Sequence, residues 1–329
     1  MTLNSDGMKT SILSFVLGDV LGLAIQFITR QSLEKKLQNN SILEIIKNSN
    51  SNIPLGTWSD DTSLTLCTMA SIVETKTINL KNISEKFCQW FQFGYMTPYG
   101  KAFDIGRTTF QTIVSAIENN RPILIGADRK DNNGNGSLMR ILPVTMYCYA
   151  KKMNQSEIFE TVKNISSLTH AHPISIIGCY IYTMVIFMIL DGGAKEFILS
   201  SLKELKNHFP KEYEPFLAEY DDIFSGKFVN KKAEEINAYG YVKDTLEAAL
   251  WGFFNSHFIE DCILKILSLS GDTDTNGAVG GGLCGLYYGL RGLHIGSNII
   301  EQNDLSDLIV KKEDIIELSD KFFETIKSF

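Results

Sequence analysis

Short oxygen-bearing side chains crowd together at two places in this sequence, Ser59-Asp60-Asp61-Thr62 and Asp272-Thr273-Asp274-Thr275-Asn276. Each is followed by apolar residues at helical spacing, Leu64, Leu66, Met69 and Ile72 after the first and Ala278 and Val279 after the second. The first cluster, taken alone, reads as ordinary capping, because Ser and Asp are preferred cap and first-turn residues. The second is longer than a cap requires. Alternate residues of an extended segment point the same way, so Asp272 and Asp274 present two carboxylates to one point, with the Thr275 hydroxyl nearby. Hard divalent cations take this kind of oxygen shell. If the Asp60 and Asp61 carboxylates face it, a charge of −4 converges, and two Mg²⁺ ions, or Mn²⁺ or Ca²⁺ in their place, cancel it. Without cations the carboxylates repel, or raise one another's pKa values.

Two further stretches have chemistry to offer. The polar loop Asn132-Asn133-Gly134-Asn135-Gly136-Ser137 runs into Leu138-Met139-Arg140-Ile141-Leu142-Pro143. Its backbone N–H groups suit a phosphate, and its Asn and Ser side chains suit ribose hydroxyls. A plain surface turn with a cap is the commoner fate of Asn-Gly, and Arg140 could simply pair with a carboxylate. Leu168-Thr169-His170-Ala171-His172-Pro173 puts two of the five histidines just before a helix, a spacing that could also serve a metal.

Helical periodicity dominates the chain that must position these groups, and alternating β-branched runs long enough for a sheet are absent, so the expected class is all-α. Expected helices cover about 8–28, 60–75, 79–93, 105–118, 136–150, 155–168, 173–190, 195–206, 242–255, 258–268, 274–290 and 305–327. Turn chemistry separates them at 48–56, 97–100, 131–136 and 270–271. No composition shift marks a linker, so residues 1–329 read as one large domain, in which the polar, aperiodic stretch 207–240 is an inserted surface excursion. Apolar residues make up 44% and charged residues 21%, enough to build a core. The net charge of −7, with no basic tract, disfavours a nucleic-acid binder. Asp19 interrupts the apolar run after Met8 and argues against a signal peptide. Ile174 to Leu190 lacks charge for 17 residues, yet turn residues bound it and it reads as a buried helix instead of a membrane span. The six cysteines lie in apolar segments without CxxC spacing, which favours reduced thiols and a cytoplasmic setting.

In this order the motifs resemble those of the ADP-ribosylglycohydrolase family, which includes dinitrogenase-reductase-activating and ADP-ribosyl-arginine hydrolases. Gly18-Asp19-Val20-Leu21-Gly22 is similar to the family's opening motif, and Ser59-Asp60-Asp61-Thr62 and Asp272-Thr273-Asp274-Thr275 to its two metal-binding motifs. Asn135-Gly136-Ser137-Leu138-Met139-Arg140 and Thr169-His170 are similar to its ADP-ribose-contacting loops, and Gly100 to Thr109 to a segment common in bacterial members. The likeness runs from residue 15 to about 292. It implies a single orthogonal helical bundle with a dimagnesium centre, and hydrolysis of ADP-ribose from a modified protein, with arginine as the expected linkage. Ser59, Asp60, Asp61, Asp272, Asp274 and Thr275 would then bind metal, with Asp61 and Asp272 also serving catalysis. Asn133, Gly134, Asn135, Gly136, Ser137 and His170 would hold ADP-ribose, and Asp104 would stand beside the guanidinium, to which a carboxylate can bond bidentately. The simpler role for Asp104 is to cap a helix starting near Ile105. The implied partners are an ADP-ribosylated protein, the released ADP-ribose, and a cognate ADP-ribosyltransferase or its target.

The sequence departs from the family pattern in two places. Ser59 replaces a usual threonine and keeps the hydroxyl. Gln26 stands where many members have a glutamate; it can coordinate but cannot take a proton, so a base would have to be found elsewhere. Hydrolysis of a serine-linked or other O-linked ADP-ribose is the enzymatic rival. A non-catalytic ADP-ribose-binding protein is the rival outside enzymes, and the retention of acids at 60, 61, 272 and 274 argues against it.

Overall fold

The computed structural model describes residues 3–49, 53–293, 295 and 305–329. The helices, in chain order, are α1 (Ser5–Leu23), α2 (Arg30–Leu37), α3 (Ile42–Lys47), α4 (Asp60–Thr75), α5 (Leu80–Phe93), α6 (Arg107–Glu118), α7 (Leu142–Ala150), α8 (Gln155–Ser167), α9 (Pro173–Leu190), α10 (Lys195–Leu205), α11 (Glu214–Leu217), α12 (Asp221–Phe224), α13 (Val242–Phe254), α14 (Ile259–Leu267), α15 (Thr273–Gly289) and α16 (Lys312–Lys327). Among the described residues there is no strand, only isolated bridges between Ala127 and His170 and between Gly134 and Tyr241. The all-α expectation is met, and one hydrophobic cluster runs from Met8 to Ile326.

α1 and α15 form the axis of the fold. They lie antiparallel, backbone against backbone: a Cβ on Gly18 would strike the Gly277 carbonyl, one on Gly22 the Thr273 carbonyl, and one on Gly281 the Ser14 carbonyl. Ser11 Oγ donates to the Gly282 carbonyl at 2.7 Å, and Thr273 Oγ1 donates to that of Gly22 at 2.7 Å. Helical glycine costs about 1 kcal/mol against alanine, and close approach of a second backbone is what offsets it here. This packing sets the C-terminal end of α1 beside the N-terminal end of α15. α9 is the one described helix long and apolar enough to cross a membrane, and 78% of its most apolar window is buried inside the fold.

Three features differ from the sequence reading. α1 ends at Leu23, not near 28, because residues 24–27 turn back and the Phe27 N–H donates to the Gly271 carbonyl at 2.9 Å. α2 and α3 are short helices that periodicity missed; a capping box between Ser41 and Glu44 starts the second. The stretch 207–240 lies largely at the surface but is anchored in the core by aromatic and aliphatic side chains. It is a chain of single turns whose Tyr213, Leu217, Tyr220, Ile223, Phe224 and Phe228 are buried, with the Tyr220 hydroxyl donating to the Ile174 carbonyl at 2.7 Å. Of the break expected at 48–56, residues 50–52 lie outside the described residues.

Candidate active site

Six aspartates converge where the ends of α1, α4 and α15 meet. Asp19 comes from α1, Asp60 and Asp61 from the first turn of α4, Asp272 and Asp274 from the start of α15, and Asp104 from the turn before α6. The grouping expected from the sequence is present, but for a different local reason. Asp272 is the residue preceding α15 and Asp274 lies in its first helical turn, so the pair does not sit on an extended strand. Asp60 and Asp61 cluster because Ser59 caps α4, its Oγ accepting the Asp61 N–H at 3.2 Å.

Asp19 anchors the arrangement. Its carboxylate accepts the N–H of Ser59 at 3.0 and 3.1 Å, the N–H of Thr62 at 3.1 Å and the Thr62 hydroxyl at 2.6 Å, so it binds the exposed donors of the α4 N-terminus. Burial nevertheless pushes it up to about 6. Ser59 Oγ donates to Asp61 Oδ2 at 2.9 Å, and Thr275 Oγ1 lies 3.2 Å from that oxygen and 3.4 Å from Asp272 Oδ1. Gln26 Nε2 donates to Asp274 Oδ2 at 2.8 Å. Asp104 reaches the same Gln26 and Asp274 from the other side, with φ at 57°, a left-handed conformation that a residue with a Cβ adopts at some cost.

Burial, and after it the neighbouring aspartates, raise the pKa values of Asp60, Asp61 and Asp274 well above the carboxylate range. Burial raises Asp104 too. One oxygen each of Asp61, Asp104 and Asp274 is buried with no hydrogen-bond donor. Ligand atoms of Asp19, Asp61 and Asp274 lie within 4.8 Å of one another. Crowded acids with unsatisfied oxygens are the chemistry of a divalent-cation site, and these residues fit one.

Above this floor lies a cavity of about 570 Å³. Asp60, Asp104, Asp272, Asp274 and Thr275 face it from below, while Arg107, Lys130, Tyr241 and the exposed Phe27 line its walls and rim. Gly134, Gly136 and His170 form the far wall. A Cβ on Gly136 would approach His170 Cε1 to 2.8 Å, so the glycine is what lets the loop close over the ring.

Of the three loop side chains expected to hold a ligand, Asn133 and Asn135 line the cavity and also bond to the protein around it, whereas Ser137 does not line it. Asn133 Nδ2 donates to the Lys130 carbonyl at 2.9 Å, and its Oδ1 accepts Ser175 Oγ at 3.0 Å. Asn135 Nδ2 donates to Asp272 Oδ2 at 2.7 Å and Thr245 Oγ1 at 2.9 Å, tying the loop to the acidic cluster. Ser137 is fully buried behind the wall, with Ser166 Oγ at 2.9 Å and Cys179 Sγ at 3.4 Å. Ser59 and Asp61 likewise lie beneath the floor instead of lining the cavity. Arg140 has no carboxylate partner among the described residues: Nη2 donates to the Ile165 carbonyl and Thr169 Oγ1. Asp104 is not a cap either, since Gly106 occupies that position before α6, with no side-chain cap bond. Asp19 was the site residue missed. The signal that could have found it is that Asp19 is the single charged residue between Thr10 and Leu23.

The ADP-ribosylglycohydrolase family profile matches residues 5–328, and the chain belongs to that family. It is 26% identical over 318 residues to the ADP-ribosylarginine hydrolase Tri1 of Serratia proteamaculans, covering 97% of this chain and 79% of that protein. It is 22% identical over 286 residues to the ADP-ribosyl-[dinitrogen reductase] glycohydrolase of Rhodospirillum rubrum, covering 85% of each. A solved structure described as an ADP-ribosylglycohydrolase-related protein complex superimposes with a TM-score of 0.73 at 22% identity, covering 98% of both chains. Family and relatives together support ADP-ribosylglycohydrolase activity, on the helical fold that the sequence implied.

Proposed function

We propose that this chain hydrolyses the N-glycosidic bond between ADP-ribose and an arginine side chain of a modified protein, using two divalent cations, Mg²⁺ foremost. The observation that bears most on this reading is the juxtaposition of Asp104 with Asp274, which puts a carboxylate at the junction of the acidic floor and the open cavity. The relatives named arginine hydrolase and dinitrogen reductase glycohydrolase support the linkage and the protein substrate.

Asp60, Asp61 and Ser59 on one helix end, and Asp272, Asp274 and Thr275 on the other, would hold the cations, with Asp19 fixing the α4 end. Bound there, divalent cations supply Lewis-acid polarisation of oxygen atoms and orientation of ribose hydroxyls and water. The wall formed by Gly134, Gly136 and His170 holds the diphosphate and ribose, while Asn133, Asn135 and Ser137 keep that wall in shape. Binding energy from these remote groups positions the anomeric carbon. Asp104 pairs with the guanidinium. The C–N bond breaks as a water oxygen bonds to the anomeric carbon, and the water's proton ends on the departing guanidine. Burial raises the pKa of Asp104, and in this reading its carboxyl relays that proton, the service that Gln26 cannot perform.

The substrate in this reading is the target of a cognate ADP-ribosyltransferase, and the setting is the reducing cytoplasm. Unpaired cysteines, buried at all positions except the half-buried Cys88, support that setting. The test is to incubate the protein with arginine-linked and serine-linked ADP-ribosylated proteins, with and without Mg²⁺, and to measure released ADP-ribose. Release from the arginine-linked protein alone, abolished by EDTA, is expected; preferential release from the serine-linked one would overturn the linkage.

A further inference from the structure

Arg140 is a fully buried guanidinium with no carboxylate in contact among the described residues, in the single turn Leu138–Arg140 that follows the cavity-wall loop. It stacks on Phe87 with 5.0 Å to the ring centroid, and Nη2 donates to the Ile165 carbonyl at 3.1 Å and Thr169 Oγ1 at 2.8 Å. Burial lowers its pKa to about 10, so it stays charged near neutrality. Holding such a charge in the interior is costly, and a function for it is worth seeking.

A guanidinium has only donors, so Thr169 Oγ1 accepts this bond and keeps one hydrogen of its own to give. The other polar atom on Thr169 Oγ1 is His170 Nδ1, at 2.8 Å. If Nδ1 carried the proton, the fully buried threonine hydroxyl would have two donors aimed at it and no acceptor, and an imidazole N–H would face the guanidinium through it. The opposite assignment satisfies the Thr169 hydroxyl and the His170 Nδ1, leaving Arg140 Nε and Nη1 as they were: Arg140 Nη2 donates to Thr169, Thr169 donates to His170 Nδ1, and Nε2 bears the hydrogen. Nε2 is the nitrogen beside Gly134, where a Cβ would lie 3.5 Å from it, and His170 lines the cavity at this wall.

The backbone is held as firmly as the ring. His170 N–H donates to the Ser166 carbonyl at 2.8 Å, the His170 carbonyl accepts Ser166 Oγ at 2.8 Å, and Ala171 N–H donates to the Ala127 carbonyl at 3.1 Å. Gly126 packs so closely on Thr169 that a Cβ there would strike its backbone.

We propose that Arg140 and Thr169 are positioning residues that lock His170 in the Nε2–H tautomer, making it a fixed, neutral hydrogen-bond donor to an anionic oxygen of the ligand. Burial, with the Arg140 charge second, pulls the imidazole down to about 3, which agrees with a ring that stays neutral. A chain of donors headed by a buried cation polarises each bond along it, so part of the guanidinium's attraction reaches the ligand although Arg140 never touches it. The identity of that ligand rests on the ADP-ribose reading above; the tautomer does not.

Long-range ¹H–¹⁵N spectra of the full-length protein, labelled at histidine and free of ligand, are expected to show His170 with Nδ1 bare and Nε2 protonated. A protonated Nδ1 in the wild type overturns the proposal without any variant. Thr169→Val keeps the side-chain shape and removes the hydroxyl; it should shift the tautomer signature and weaken ADP-ribose binding, read by calorimetry, on the order of tenfold or more. Thr169→Ser should restore both. An unchanged tautomer in Thr169→Val also overturns the relay. Absence of ADP-ribose binding to a wild type that shows the expected tautomer would instead overturn the ligand reading, so the two failures are told apart.

Discussion

Asp104 differs from the other five aspartates of the cluster in how it is held. The others lie in or at the start of helices, whereas Asp104 sits in a turn with φ at 57° and caps nothing. Asparagine tolerates this conformation better than most residues and fills the same volume, so Asp104→Asn removes the charge with little change in stability. Turnover of an arginine-linked substrate should fall by about a hundredfold or more, the scale of a lost acid–base group. The melting temperature should stay within about two degrees, and ADP-ribose affinity should remain near wild type. Wild-type turnover by this variant would remove the argument for arginine. Gln26 is the complementary position, because its amide donates to Asp274 where a carboxylate would repel it. Gln26→Glu should therefore lower the melting temperature in EDTA by a few degrees and recover it in Mg²⁺; melts in the two buffers check this.

At the scale of elements, the antiparallel pair α1 and α15 sets the positions of Asp19, Gln26, Asp272 and Asp274 together. A methyl group on Gly18 has no room, since the Gly277 backbone would have to move, whereas one on Gly106 meets nothing within 4 Å. Gly18→Ala should cost several kcal/mol and weaken Mg²⁺-dependent stabilisation, because overpacking a backbone contact pushes the two helix ends apart. Gly106→Ala should cost a few tenths. Equal denaturation midpoints for the two variants would show that the close approach is not what holds the site. This pair also shows what was legible in the sequence. The polar clusters marked the helix starts, but nothing in them indicated that α1 and α15 would be neighbours. Asp19 stayed hidden for that reason: its partners, the Ser59 and Thr62 backbone N–H groups, are 40 and 43 residues away. The aromatics of 207–240 were hidden in the same way, since single turns packed through Tyr213 and Tyr220 leave no helical period to read.

For the molecule as a whole, the acidic cluster makes stability depend on cations and pH in a direction opposite to that of most paired carboxylates. A carboxylate whose folded pKa is raised stabilises the fold fully below its unfolded pKa and loses that contribution as pH rises through the folded value. For Asp19 the window runs from the ordinary 3.8 to about 6, which corresponds to about 3 kcal/mol lost on going to neutral pH in the absence of metal. Asp60, Asp61 and Asp274 act in the same direction. Between pH 5 and pH 8 the metal-free protein in EDTA should therefore melt progressively lower as pH rises. In saturating Mg²⁺ the order should reverse, because cations bind the deprotonated acids and ligand at about a hundred times its dissociation constant adds about 2.7 kcal/mol. Asp61→Ala separates the cluster from every other titrating group. Without that charge the EDTA profile should flatten, the melting temperature at pH 8 should equal or exceed that of wild type, and both Mg²⁺ stabilisation and hydrolysis should disappear. A wild-type melting temperature in EDTA that is flat or rises from pH 5 to 8 would mean that the aspartates are not held at a cost in the metal-free fold. An Asp61→Ala protein that melts well below wild type in EDTA would make that carboxylate a structural hydrogen-bond acceptor for Ser59 and Thr275, and would take the cation-site reading down with it.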